Sequence, residues 1–386
     1  NWVINEYDRK AIQVISSFLP ERIFDIHTHI YRVADLNTSQ QSDLFNSGPS
    51  EVSIAVWKEY LTNMMPGKEL SGGLFFPNPT PECNIKNENA YLVSELKKET
   101  GSRGLVLVSP GTSPAELSAL LSHPKIIGMK PYHVFSSEQP TWESSVRGYF
   151  PEWQWELADK YGCIVVLHLV KRNAVADPGN IREIREMCSR YPNIRLILAH
   201  AARCFHIPHA REGIVKLRGL ENVWFDTSAV CEPDALMVIL REFGPERVMW
   251  GSDFPVSQLR GKCVSIGDGF VWLEEDTLNW NKQKLSNPLL VGIESLLALR
   301  NAAEEFGLNR EDVHKIFYGN AQQLVFGKDM QKNHTSELYT HAKQRIPGGV
   351  QLLSKRPEMM APGRWPAYFS EARGCEVWDL DGNHYY

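Results

Sequence analysis

Ile23-Phe24-Asp25-Ile26-His27-Thr28-His29 is a short apolar run that ends in two histidines one residue apart. A β-strand turns alternate side chains to opposite faces, so His27 and His29 leave one face about a strand repeat apart, as two ligands of one cation must. Alone, a His-x-His pair is only suggestive. Later apolar runs close in the same way, however: IIGMK at Lys130, CIVVLH at His168, IRLILAH at His200 and VMWGSD at Asp253. His168 and His200 lie 32 residues apart, about one strand-helix repeat. Ligand-type residues recurring at the carboxyl ends of successive strands are what a (β/α)₈ barrel gathers at one rim, so the chain is read as an α/β protein of TIM-barrel class.

With 386 residues, 43% hydrophobic and 23% charged, the chain can bury a large core but is long for a single barrel. Net charge is −5 and the basic residues are dispersed, which argues against a nucleic-acid partner. No apolar run reaches membrane-spanning length. The amino terminus, NWVINEYDRK, has neither an initiator Met nor a signal-peptide core, and it reads as a processed or trimmed start. Seven cysteines without Cys-x-x-Cys spacing are expected to be reduced thiols of a cytoplasmic protein.

In chain order, residues 3–18 show helical spacing and lead into the first strand, expected to end at His29. From 31 to 73 the pattern weakens around one helical patch, SEVSIAVWKEYLTNMM. A connection of that length next to two ligands is a candidate lid, with Trp57 and Tyr60 as pocket walls; a surface helix with packed aromatics is the plainer alternative. GGLFFPNP, GLVLVSPG, KIIGMKPYH, CIVVLHLV, IRLILAH, ENVWFDTSAV and VMWGSDFP then read as strands two to eight, separated by helices. One of these helices starts at the capping box Ser113-Pro114-Ala115-Glu116. The stretch after Asp253, QLRGKCVSIGDGFVWLEEDTLNWNKQ, is expected to cover the rim again. Two helices follow, and the first domain is placed at residues 1–327. Residues 328–386 change character: a polar linker precedes strand-like pieces around Asp-Leu-Asp-Gly, a hairpin signal, and the final strand-like piece suggests a natural protein that continues.

Two histidines from one strand, a third and an aspartate suit Zn²⁺ first, with Mn²⁺ or Fe²⁺ acceptable. Asp253 would both touch the ion and take a proton from attacking water, and His200 would orient that water or stabilise developing charge. Singly, each residue has a plain reading as a rim histidine, a turn aspartate or, for Lys130, a snorkelling amine. It is their joint arrangement that shifts the balance.

FDIHTHI, NPTPECNIKNENAYL, GMKPYH, VVLHL, LILAHAAR, VMWGSDFP and IFYGNAQQLV together resemble the amidohydrolase superfamily, in its branch of mononuclear metal barrels. That branch includes lactone hydrolases, dicarboxylate hydrolases and aminocarboxymuconate-semialdehyde-type decarboxylases. The resemblance implies His27, His29, His168 and Asp253 as metal ligands and His200 as the catalytic histidine. It leaves Lys130 either carbamylated between two metals or paired with a substrate carboxylate. Arg203 falls where the family often keeps an arginine, and its planar fork suits a carboxylate. Tyr132 and Trp57 are further substrate-side candidates, while His133, His206 and His209 read more simply as surface or supporting residues.

SELYTHAKQRIPGGV and PAYFSEARGCEVWDLDGNHYY resemble another family, the amino-terminal end of glutamate-1-semialdehyde aminomutase and related class III aminotransferases. Any pyridoxal phosphate lysine would lie beyond Tyr386. The resemblances imply a metal-dependent hydrolase of a C–N or C–O bond in a small carboxylated metabolite, fused to an aminotransferase and homo-oligomeric. A metal-dependent non-oxidative decarboxylase and a non-catalytic docking barrel are the alternatives.

Overall fold

The computed structural model describes residues 2–37, 43–274, 286–330, 334–361, 365–380 and 384–386. The chain forms two compact units, Asn1–Ala321 and Gln322–Tyr386.

The first unit is built on one sheet with the order β2-β1-β3-β4-β5-β6-β7-β8-β9. Its strands are β1 (Arg22–Arg32), β2 (Glu51–Val52), β3 (Glu69–Pro77), β4 (Arg103–Val108), β5 (Ile126–Pro131), β6 (Ile164–Leu167), β7 (Arg195–Leu198), β8 (Val223–Asp226) and β9 (Val248–Met249). All eight strands expected from the apolar runs are present, paired parallel in chain order. The sheet curls until the segment after β9 meets β1. There Ile26 N–H donates to Trp250 O at 3.2 Å, Asp253 N–H to His27 O at 2.8 Å and His29 N–H to Phe254 O at 2.8 Å. This is the (β/α)₈ closure. Helices cover the outside, among them Glu6–Ser16 with an Asn5 capping box and Pro114–Leu121 with Ser113 as its cap. Gly128 lets β5 approach β6 closely, since a Cβ there would fall 1.7 Å from Ile164 O.

Some boundaries differ from the sequence expectation for local reasons. β1 runs on past His29 to Arg32 because the short β2 pairs antiparallel with Tyr31 and Arg32. Glu51 and Val52, expected in a helix, are therefore strand; Ser53 caps the helix Ile54–Met64 by accepting from Val56 N–H. The rim cover after Asp253 is a β-hairpin, β10 (Gly261–Ile266) with β11 (Gly269–Glu274). The rest of that stretch, from residue 275 on, lies outside the described residues. All seven cysteines are thiols rather than halves of disulfides. No helix among the described residues is long and apolar enough to cross a membrane.

In the second unit β12 (Phe369–Arg373), β13 (Glu376–Asp379) and β14 (His384–Tyr385) form an antiparallel sheet. The expected Asp-Leu-Asp-Gly turn joins β13 to β14, and its residues 381–383 lie outside the described set. Tyr339 ties this unit together, its hydroxyl donating to Glu358 at 2.8 Å.

One buried acid bears on stability. Glu88, in the first turn of helix Ile85–Leu96, is fully buried, and its Oε2 has no hydrogen-bond partner among the described residues. Burial pushes its carboxyl up to about 8. The native state then keeps a proton that the unfolded chain has released, so this group makes stability fall as pH rises from about 4.5 towards about 8. Glu88→Gln is expected to match the native protein near pH 5 and to exceed it in stability by 1 kcal/mol or more, to order of magnitude, near pH 8. Urea melts at the two pH values check this; an equal shift at both would contradict it.

Candidate metal centre and its pocket

β1 and β3 present opposite faces to different partners. Phe76 lies edge-on to His27 and His29, at 5.0 and 4.7 Å, whereas its neighbour Phe75 packs against Trp57 at 5.0 Å. Consecutive strand residues face opposite sides, so Trp57 stands on the far side of the sheet from the histidines. It was expected to wall the pocket. Instead its indole N–H donates to Asp25 Oδ2 at 2.8 Å, beneath the strand. A register shift between Asp25 and Thr28 lets Asp25 face Trp57 while His27 and His29 face inward.

Inside the barrel, His27 Nε2 and His29 Nε2 lie 3.3 and 3.5 Å from Asp253 Oδ1. His27, His200 and Asp253 each offer a ligand atom within 4.8 Å of the others. The His200 ring is centred 5.0 Å from that of His27, and His168 is one ring further out, 5.2 Å from His200. The structure thus draws in His200, expected to act on water beside the ion, and sets His168, expected as a ligand, next to it.

Each of the three inner histidines is anchored through Nδ1. His27 Nδ1 donates to Asp226 Oδ2 at 3.0 Å, His29 Nδ1 to Pro77 O at 3.1 Å and His200 Nδ1 to Ser228 O at 3.1 Å. A carbonyl or carboxylate oxygen accepts only, so each ring carries a proton on Nδ1 and, when neutral, keeps its lone pair at Nε2. Among the described residues, His27 Nε2 is buried without a hydrogen-bond partner. Lone pairs and a carboxylate brought together in a buried site repel unless a cation lies among them. The donor set, imidazole nitrogens with one carboxylate and outer acceptors orienting the rings, fits a divalent metal.

Asp226 was not singled out in the sequence, although it ends the apolar run VWFD as the other site residues end theirs. Besides holding His27, it accepts from the backbone N–H of His200 at 3.1 Å and of Ser228 at 3.1 Å. Burial alone would raise its carboxyl, but the His27 imidazolium outweighs this and holds it at about 2. Burial likewise opposes ionisation of Asp253, which the surrounding histidines nonetheless keep well below the usual carboxylate range. For His27, burial favours the neutral ring, and the negative charge of Asp226 overturns that and raises it. His29 is pushed down to about 4 and His200 is lowered, both chiefly by burial.

His200 opens a rare backbone segment. His200, Ala201, Ala202 and Arg203 have φ of 54°, 54°, 62° and 58°, a left-handed turn of L residues. Each costs roughly 1–2 kcal/mol, so such a turn persists only where its surroundings over-determine it. The Asp226 bond to its first N–H and a bond from Cys204 N–H to His200 O at 3.0 Å hold it.

Lys130 is fully buried, with Nζ 4.7 Å from the Phe76 ring centroid and no hydrogen-bond partner among the described residues. Burial lowers its ammonium to about 8. Tyr132 and His133 stand beside His168, at 4.9 and 5.7 Å between rings. Arg203 donates from Nη1 to Lys171 O at 2.8 Å. His206 and His209 pack on each other at 4.3 Å, His206 Nε2 reaching Gly267 O in the hairpin turn.

A family model described as Amidohydrolase matches residues 80–327, more than half of the chain, and the chain belongs to that family. It is 24% identical over 197 residues to an L-fucono-1,5-lactonase of Burkholderia ambifaria, a match covering 45% of this chain and 61% of the lactonase. The chain therefore spans less than two thirds of that relative. A 65-residue stretch is 44% identical to a 3-aminobutyryl-CoA aminotransferase of Cloacimonas acidaminovorans, covering 17% of this chain and 14% of that protein. Among solved structures, an amidohydrolase of Burkholderia multivorans with bound zinc superposes with a TM-score of 0.53 at 16% identity, covering 78% of this chain and 98% of that one. At this identity it supports the fold.

Replacing Asp226 by Asn removes the charge that fixes the His27 ring while keeping the shape. Divalent-metal affinity is expected to fall about 10–100-fold. Zinc titration against a chromophoric chelator measures this, and unchanged affinity would remove Asp226 from the site.

Proposed function

We propose that residues 1–327 are a metal-dependent hydrolase that cleaves an amide- or lactone-type C–N or C–O bond in a small carboxylated molecule. The observation that carries this reading is the buried cluster in which Nδ1-anchored His27 and His29 turn Nε2 towards the Asp253 carboxylate and His200 offers a further ligand atom to the same group. His27, His29, His200 and Asp253 would hold the ion, with His168 adjacent; Zn²⁺ suits the donors best, and Mn²⁺ or Fe²⁺ is acceptable. A divalent cation there supplies Lewis acidity, polarising a carbonyl and acidifying water.

The chain's own residues do the rest. Asp253, kept ionised by its histidine neighbours, accepts the proton of the attacking water at its carboxylate and returns it to the leaving group. His200, its Nδ1 taken up by Ser228 O, would offer Nε2 to the ion and so help to hold it beside the carbonyl that is attacked. Lys130 and Arg203, with the Tyr132 hydroxyl, take up the substrate carboxylate. Residues 328–386 are read as a linker and the start of an aminotransferase-like domain that shares a substrate or product with the barrel, the 44% identical stretch being the support. Pyridoxal phosphate would belong to the remainder of such a domain.

Zinc analysis of the purified chain is expected to find bound metal, and Asp253→Asn to lose about 10²–10⁴-fold in turnover. Hydrolysis in ¹⁸O-water should label the product. Carbon dioxide release without label would assign decarboxylation instead, and an Asp253→Asn protein with full activity would end both readings.

A further inference from the structure

Arg203 has a cationic head, and no carboxylate lies within ion-pair distance of it among the described residues; its one hydrogen bond is Nη1 to Lys171 O. A long, flexible side chain at the end of a strained turn needs something to fix its plane. The β10–β11 hairpin supplies it. Cys263 pairs with Trp272 and Ser265 with Phe270, so these four share one face. Ile266 and Val271 lie on the solvent side, 63% and 39% exposed.

The inner face meets the left-handed turn and the residues just after it. The Arg203 guanidinium carbon lies 5.3 Å from the Phe270 ring centroid. Phe205 packs on Phe270 at 5.2 Å and on Trp272 at 5.5 Å, and stands 5.7 Å from the His200 ring. The hairpin is pinned to the barrel by Ser265 N–H to Glu232 Oε1 at 2.9 Å, by His206 to Gly267 O at 3.2 Å and by the Lys262–Glu294 pair at 3.4 Å. Phe270 is therefore held in place. A guanidinium lying on an aromatic face keeps its edge N–H groups free for a two-point contact with a carboxylate.

We propose that this hairpin is the specificity element of the pocket, with Phe270 a positioning residue that sets the Arg203 guanidinium where the substrate carboxylate docks. The proposal rests on the reading of Arg203 as a carboxylate contact. It adds that recognition of the anion depends on a residue 67 positions away in sequence, on an element that carries none of the metal-binding side chains.

Binding to the zinc-loaded full chain, followed by calorimetry, tests it without relying on turnover. The probes are the mono-4-nitroanilide of glutaric acid, which carries a free carboxylate, and the neutral 4-nitroanilide of pentanoic acid. The native protein is expected to prefer the acid, and Arg203→Met to erase that preference. Phe270→Ala is expected to weaken the acid about 5–10-fold while the neutral probe changes less than about 2-fold, and Phe270→Tyr to restore the native preference. If Phe270→Ala keeps the preference, or weakens both probes equally, the hairpin proposal is overturned while the Arg203 reading stands. No preference in the native protein, or a preference that survives Arg203→Met, overturns that reading and the proposal with it.

Discussion

The seam that closes the barrel also assembles its chemistry. Asp253 donates its backbone N–H to the carbonyl of His27, and His29 donates its own to Phe254. Three of the candidate ligands, His27, His29 and Asp253, are therefore residues whose backbones pair across the closure. A slip of one position would turn the alternating side chains to the opposite face, so register and site are a single constraint. Gly251 makes the approach feasible, since a Cβ there would come within 2.7 Å of His27 Cβ. A barrel sealed in another register would still bury its apolar rows, but it would not bring His27, His29 and Asp253 together.

Charge is arranged around that seam in two layers. Asp253 faces the Nε2 atoms, and Asp226 stands behind His27 at Nδ1. Both carboxylates are buried, and burial penalises each unless positive charge compensates it. Without a cation, a proton on His27 is the nearest compensation, which is why that ring is raised while its buried neighbours are lowered. Proton and metal thus compete for one nitrogen. Among the described residues, Lys130 and Arg203 carry positive charge with no carboxylate in ion-pair contact, and Lys130 Nζ lies 4.7 Å from the same Phe76 ring that packs edge-on to His27 and His29.

Much of this was legible in the sequence because it is written locally. An apolar run of strand length ending in a chemistry-bearing residue is a contiguous signal, and all eight runs became strands of the barrel. What was not legible depends on contacts between distant segments. β2 is two residues long and exists only because β1 continues beside it. The register shift at Asp25 turns one side of β1 towards Trp57, and no period-two count over IFDIHTH reveals it. His200 stands beside His27, with His168 one ring further out, on a left-handed turn that no local preference of His-Ala-Ala-Arg favours. Asp226 was visible in VWFD, but it precedes Thr-Ser and reads locally as a turn residue.

The left-handed turn shows why local rules give way here. Alanine in this conformation gains nothing from its own side chain, and Ala201 and Ala202 are both fully buried, so the stabilisation must come from the surroundings. Asp226 accepts from the first N–H of the turn with one oxygen and from His27 Nδ1 with the other. The hairpin covers the far end through Arg203 and Phe205. One carboxylate therefore fixes both the backbone that presents His200 and the ring of His27, and a single turn carries both His200 and Arg203. Such sharing couples the two ends of the turn: any change that relaxed it to ordinary geometry would move His200 and Arg203 together.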